Sequence, residues 1–240
     1  MICKSLKAKF LGLVLGALTV TAISVMAGVG SGYSLFGNAT LVSPGHNSNR
    51  AVQLVSDGNA NPAIFSGIDF GVSPSLTINN LTDMSTDYNF TASSCGVGSP
   101  RFGITLAGVS GTIFVYIGPP PNYTGCAPGW TNSGELLTPA SLVDTSQLPG
   151  GTFYDPWATA QTRYTGKQVT DIFLVSDYGP TGAQTVLIDN TSINGTTVTY
   201  EPDNKDDCKN GGWQNFTLAP GPFTNQGQCV SHFASNGRSN

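Results

Sequence analysis

The sequence predicts an all-β protein, an antiparallel β-sandwich of jelly-roll type followed by a small C-terminal appendage held by a disulfide. Apolar residues alternate with a period of two along many short segments, turn residues separate these segments, and no βαβ alternation suggests a parallel sheet. Only 10% of the 240 residues are charged, against roughly 25% in typical soluble domains. This composition disfavours a cytosolic helical enzyme.

The strand-like segments are alternating or rich in β-branched residues. They cover residues 51–55, 63–70, 75–81, 88–92, 101–106, 112–117, 169–176 and 185–189. Next along the chain, Asn194 and Gly195 separate two further strand-like segments, and Asn-Gly favours the positive φ angles of a type I′ hairpin turn. After residue 30, a helical stripe occurs only at residues 229–235.

The chain divides into a signal peptide at residues 1–27, a β-sandwich domain at residues 28–202 and a C-terminal motif at residues 203–240. Three Lys precede an uncharged run at residues 10–29, and Val25 and Ala27 are small residues of the kind a signal peptidase reads. The alternative is a retained membrane anchor. Cleavage would change the formal net charge from −4 to −7 and leave the basic residues scattered, so nucleic acid is disfavoured as a partner.

Cysteine usage agrees with secretion. Beyond the signal region the chain has four cysteines, an even number suited to an oxidising compartment: Cys95, Cys126, Cys208 and Cys229. Of the three pairings, we favour Cys95 with Cys126 and Cys208 with Cys229, because each pair encloses its own Gly- and Pro-rich segment. Zinc is disfavoured, because no CxxC spacing or nearby His accompanies them.

A long non-strand segment at residues 118–151 suggests a functional loop pinned by Cys126. Tyr123 and Trp130 lie in it, and Tyr154 and Trp157 follow it. Exposed aromatic rings stack on the apolar faces of sugars, so these four residues are candidates for a glycan-binding rim. Alternatively, they pack inward as a small satellite core beneath the loop.

The sequence offers little for catalysis. It contains two Glu and two His, no GxSxG motif, and no closely spaced acids within a strand. His46 and His232 are expected to be solvated or capping side chains. We therefore expect no enzymatic activity.

No cofactor is expected, although calcium fits best if the chain holds a metal, since oxygen-rich loops suit that ion. The candidate ligands are acids on the last long strand and before the third cysteine: Asp189, Asp203, Asp206 and Asp207. None of them matches EF-hand spacing, and they also read as ordinary surface acids.

The segments DDCKNGGWQNF and NQGQCVSHFASNG resemble a C-terminal motif of uncharacterised secreted bacterial proteins. The preceding segments SPRFGITL, FVYIGP, GCAPGW and QTVLIDNTSING are similar to the jelly-roll regions of such proteins and, more loosely, to carbohydrate-binding modules that end in an Ile-Asp strand. The resemblance implies an exported binding or surface protein of a bacterium and supplies no catalytic residue.

We therefore expect a non-catalytic protein, secreted or at the cell surface or envelope, whose jelly roll binds an extracellular or cell-wall glycan. One alternative is a purely structural or adhesive module without a small-molecule site. The third is a secreted glycan-acting hydrolase, which requires that the fold bring two distant carboxylates together in a cleft.

Overall fold

The structure is a computed structural model that describes residues 32–177 and 183–236. Two antiparallel sheets pack around one hydrophobic core, which confirms the predicted β-sandwich. Sheet A has the strand order β1-β4-β11-β6-β7, formed by Tyr33–Gly37, Ser66–Phe70, Val169–Ser176, Arg101–Leu106 and Val109–Tyr116. Sheet B has the order β2-β3-β12-β5-β8, formed by Thr40–Val42, Ala51–Ser56, Gln184–Ile193, Met84–Ala92 and Thr131–Asn132, with β13 (Thr196–Val198) paired to β12.

Two more short strands, β9 (Leu142–Val143) and β10 (Asp155–Pro156), pair with each other beside the sandwich. The predicted signal peptide lies outside the described residues. Within the described part of the chain, no helix has the length and apolar character needed to cross a membrane.

Alternation along the strands builds the core. In β6, Phe102, Ile104 and Leu106 are buried, whereas Arg101 and Thr105 are partly exposed on the other face. Because side chains in a strand point alternately to opposite faces, these apolar side chains all face the other sheet, and a one-residue shift in strand pairing would expose them.

The segment at residues 75–81 was predicted to be a strand, but it contains a 3₁₀ turn at Ile78–Asn80. Ile78 and Leu81 are both fully buried and three residues apart. This spacing places both side chains on the same side of a 3₁₀ turn, which has three residues per turn. The apolar residues of this segment therefore follow a period of three rather than two.

The α-helix α1 (Trp157–Arg163) was not predicted. Trp157 and Ala160 are buried within it, and the following Tyr164 is 5% exposed. These positions have the spacing i, i+3 and i+7 of one helical face. The helix has only seven residues, so this stripe is short.

The predicted hairpin turn is confirmed. Asn194 and Gly195 connect β12 to β13 with φ angles of 49° and 71°. A type I′ turn needs a positive φ at both central residues.

Both predicted disulfides are present, Cys95–Cys126 with Cα atoms 5.5 Å apart and Cys208–Cys229 with Cα atoms 5.7 Å apart. The second bridge lies in an appendage built from 3₁₀ turns at Lys205–Cys208 and Gly212–Asn215 and the helix α2 (Gln226–Asn236). Phe216 and Phe223 pack with this disulfide as a separate small core. The helical stripe predicted at residues 229–235 therefore forms part of α2.

The appendage is joined to the loop that follows β2. The Asn49 side chain donates to the Ala219 carbonyl oxygen at 3.0 Å and accepts from the Leu218 amide at 2.8 Å. Arg50 Nη2 lies 2.7 Å from Asp207 Oδ1. These contacts fix the loop that covers the polar cluster described below.

Candidate ligand-binding site

The structure brings together two of the four aromatic residues predicted to bind a ligand. The rings of Tyr123 and Tyr154 stack with centroids 5.9 Å apart and planes 19° apart. Trp157 is 1% exposed and belongs to the main core, so it forms no part of an exposed rim. Trp130 lies elsewhere and stacks on His46, with ring centroids 5.1 Å apart.

Tyr123 and Tyr154 both adopt left-handed backbone conformations, with φ angles of 53° and 61°. Such angles are rare for bulky residues and persist where the surrounding structure imposes them. The Tyr123 amide donates to the Pro119 carbonyl oxygen at 2.8 Å, and the Tyr154 hydroxyl donates to the Pro121 carbonyl oxygen. A Cβ atom on Gly118 would lie 2.6 Å from the Tyr123 carbonyl oxygen, so only glycine fits there without a shift.

Two further rings extend this stack into what we call the aromatic cluster: Tyr116, Tyr123, Phe153 and Tyr154. The ring centroid of Tyr116 lies 4.4 Å from that of Tyr123, and Phe153 lies 4.2 Å from Tyr154. Phe153 and Tyr154 are 45% and 39% exposed, whereas Tyr123 is 5% exposed. The cluster therefore runs from the protein interior to the surface.

A cavity of about 350 Å³ lies between the long loop and the sandwich, and we call it the loop cavity. Ligand-binding pockets have volumes of roughly 300–1,000 Å³. Aromatic walls and one carboxylate are its main features, supplied by Tyr88, Tyr116, Tyr123 and Glu135. The Cys95–Cys126 disulfide holds the loop in place, and Cys126 itself contributes to the lining.

The loop cavity has polar groups that can form hydrogen bonds with a ligand. Glu135 Oε1 accepts hydrogen bonds from the Met84 and Leu137 amides, each at 2.8 Å. Within the described part of the chain, Glu135 Oε2 and the Tyr88 hydroxyl have no protein hydrogen-bond partner. One carboxylate oxygen is thus held in place while the other can accept a hydrogen bond from a ligand.

The phenol groups of Tyr116 and Tyr123 remain neutral. Burial raises the pKa of Tyr123 to about 12, and Tyr154 and Asp144 add to the shift. Burial also raises the pKa of Tyr116, whose hydroxyl donates to Asp144 Oδ2 at 2.8 Å. The cavity wall therefore presents uncharged aromatic surface. The sequence predicted a strand at residues 112–117, which include Tyr116, and did not single out Phe153 or Glu135, because their proximity depends on how the long loop folds back.

A polar cluster lies on the outer face of sheet B, away from the loop cavity. Asp87 of β5 and Asp189 of β12 are directly paired across the two strands. The His46 amide donates to Asp189 Oδ2 at 2.8 Å, and His46 Nδ1 lies 2.9 Å from Asp87 Oδ2. The loop carrying His46 thus covers both carboxylates.

The two carboxylates have opposite pKa shifts. Burial alone would raise the pKa of Asp87, but hydrogen bonds from Asn132, Asn190 and the His46 ring hold it below its usual range. Burial raises the pKa of Asp189, although hydrogen bonds, including one from Ser48 Oγ at 2.5 Å, oppose the shift.

His46 was expected to be solvated or capping, but its ring is oriented by a carboxylate. The bond to Asp87 places the proton of a neutral imidazole on Nδ1 and leaves the lone pair on Nε2. Nε2 has no protein partner in residues 32–177 and 183–236, and the His46 side chain is 31% exposed. Asp189 has no exposed surface, so the cluster does not present two carboxylates to a substrate.

The acids suggested as calcium ligands do not form one site. Asp206 pairs with Lys209 at 2.6 Å, Asp207 pairs with Arg50, and Asp189 lies in the polar cluster of sheet B. Asp207 Oδ2 also accepts from the Asp203 amide at 3.2 Å. In the described residues, no group of three or more His, Cys, Asp or Glu side chains is placed to hold a metal ion.

Neither a protein-family model nor a curated protein matches the sequence. Among solved structures, the chain aligns with the xyloglucanase domain of NopAA, a type three effector from Sinorhizobium fredii, in complex with cellobiose. The alignment covers 69% of this chain and 94% of that domain, at 12% identity and a TM-score of 0.33. A likeness this distant carries no argument about function.

Proposed function

We propose that the protein is an exported, non-catalytic glycan-binding protein and that the loop cavity holds the sugar. The supporting observation is the cavity itself, which combines tyrosine walls with a Glu135 carboxylate oxygen and a Tyr88 hydroxyl that have no hydrogen-bond partner among the described residues. The two disulfides and the leader-like N-terminal sequence support export.

Sugar chemistry fits this combination of groups. A sugar ring has apolar C–H faces that pack on aromatic rings, and hydroxyl groups that donate to carboxylates. Tyr123 and Tyr116 would supply the ring contacts, and Glu135 Oε2 would accept from a hydroxyl. Glu135 is already fixed by two backbone amides, so little side-chain entropy is lost when a ligand binds.

The test is a calorimetric titration of the purified protein with uncharged oligosaccharides of three to six sugar units, taken from cellulose, laminarin, xylan and mannan. At least one series should bind. Glu135→Gln and Tyr88→Phe should each weaken that binding about fivefold or more, the loss of one hydrogen bond of ~1 kcal/mol. Thr170→Ala, at an exposed position on β11, is the control and should bind as the unmodified protein does. Absence of binding to every series would contradict the proposal.

A second candidate function, hydrolysis, is favoured by His46 and Asp87. A base that is oriented by a carboxylate and stacked on Trp130, and whose Nε2 has no partner in the part of the chain that the structure describes, is an arrangement used for proton transfer. Acetylated xylan is a suitable probe, with acetate and reducing ends measured separately. Hydrolysis is supported if the protein releases acetate or reducing ends and His46→Gln abolishes that release. If the protein releases no more product than a heat-inactivated sample, this candidate function is ruled out.

A further inference from the structure

The outer face of sheet A leads directly to the loop cavity. Phe36 of β1 is paired with Gly67 of β4, and the same row continues through Val175 and Arg101 to Tyr116. Tyr116 lines the loop cavity. One row of residues therefore crosses all five strands and ends at the candidate site.

Aromatic rings lie across the strands of this face. A Cβ atom on Gly67 would lie 2.2 Å from Phe36 Cζ, and a Cβ atom on Gly103 would lie 2.2 Å from Phe173 Cζ. The two rings therefore cover the backbone of the neighbouring strand instead of standing upright. Both are partly exposed, and Phe65 beside Phe36 is 40% exposed.

A third ring on the face is held under a cation. The Arg101 guanidinium lies 4.5 Å from the ring centroid of Phe114 and is fixed by two hydrogen bonds to Asp177. Its charge is therefore already compensated. This guanidinium is therefore not available to pair with an anionic ligand.

Two carboxylates lie on the same face without a cation. Asp69 is paired with Phe173 in the adjacent row, and Asp171 lies two residues before Phe173 on β11. In the described part of the chain, neither carboxylate has an ion-pair partner or a hydrogen bond to another side chain, and the Ile172 backbone amide is the group that stabilises the Asp171 carboxylate. Burial raises the pKa of both groups, and Asp171 raises that of Asp69 further. These oxygens can accept hydrogen bonds from an uncharged ligand.

We infer that this face binds an extended, uncharged polysaccharide, one segment of which enters the loop cavity. This inference rests on the proposed function and extends it from a short sugar to a chain. Flat aromatic rings supply stacking surfaces, the two carboxylates accept hydroxyl donors, and uncompensated negative charge excludes an anionic polymer. Five strands span about 19 Å from β1 to β7, which is enough for several sugar rings.

The test compares polymer and short oligosaccharide binding in the same variants. Hydroxyethyl cellulose, laminarin, soluble arabinoxylan and galactomannan are used in affinity gel electrophoresis, with polygalacturonate as the anionic polymer. Phe173→Ala should weaken binding of the uncharged polymer about tenfold and leave calorimetric binding of the matching trisaccharide unchanged. Thr112→Ala, on the same face of β7, is the matched control and should change neither.

If Phe173→Ala alters the melting temperature, Phe65→Ala provides an independent measurement of polymer binding, because Phe65 is exposed. Unchanged polymer binding in the aromatic variants would overturn the inference while leaving the proposed function intact. Preferential binding of polygalacturonate would also overturn it. A dimer that Phe173→Ala dissociates would show that a second copy covers this face and would likewise overturn it. If the unmodified protein binds no oligosaccharide, the proposed function fails first.

Discussion

Replacement of Trp157 by Ala should destabilise the protein strongly. Its side chain is 1% exposed, and its amide donates to the Ser141 carbonyl oxygen at 2.8 Å at the start of α1. Removal of a buried Trp side chain costs about 3–5 kcal/mol. The indole Nε1 is buried without a hydrogen-bond partner in the described residues, so its removal recovers about 1 kcal/mol. We expect a net loss of about 2–4 kcal/mol.

Urea unfolding followed by circular dichroism, with the disulfides intact, measures this loss. In thermal unfolding, this loss corresponds to a decrease in melting temperature of about 4–16 °C for a chain of this size. Trp157→Phe should lose much less, because it keeps most of the apolar contact and removes the unpaired N–H group.

Trp130→Ala is the matched control for the Trp157 prediction. Trp130 is only half-buried and contributes mainly its stack on His46, so the cost should be about 1 kcal/mol. Equal losses at Trp130 and Trp157 would refute the placement of Trp157 in the core.

Three further changes have defined outcomes. Gly195→Val should lower the free energy of unfolding by about 1 kcal/mol or more, because the φ angle of 71° does not suit a β-branched residue; an unchanged melting temperature would contradict this. Replacement of Cys208 and Cys229 by Ser should expose the appendage to proteolysis, while the near-ultraviolet circular dichroism of the sandwich should be retained. Global unfolding of this variant would contradict the separate appendage core. The lowered pKa of Asp87 stabilises the fold above about pH 4, and this contribution disappears as the pH falls through the folded-state value. Asp87→Asn should therefore show a weaker loss of stability on acidification, and parallel acid curves would count against the ionised Asp87.

The sandwich could be predicted because the local sequence pattern of most of its strands is enough to identify them. In β6, every second residue is apolar, so the buried face can be identified from the sequence alone. The Asn194-Gly195 turn depends only on local backbone preferences. The strands β1 and β2 escaped prediction because their few residues carry mixed burial and no clear alternation.

The candidate site was harder to predict because long-range contacts create it. Asp87 and His46 are 41 residues apart, and their contact depends on the register of β5 and on the loop after β2. The Tyr123–Tyr154 stack depends on two left-handed residues in the loops that approach each other. In the sequence, Trp157 and Tyr154 both follow the long loop and were equal candidates for the rim. The helix α1, which was not predicted, directs the Trp157 side chain into the core.

The most direct test of the account is to fill the loop cavity. Ala127 is an exposed residue of the cavity lining, so Ala127→Trp should occupy the space without disturbing the core. Ala158→Trp, at an exposed position of α1 outside the lining, is the matched control. Calorimetric titration with the bound oligosaccharide should show binding to the control and at least a tenfold loss for Ala127→Trp, with equal melting temperatures. Undiminished binding by Ala127→Trp would contradict the assignment of the loop cavity as the glycan site.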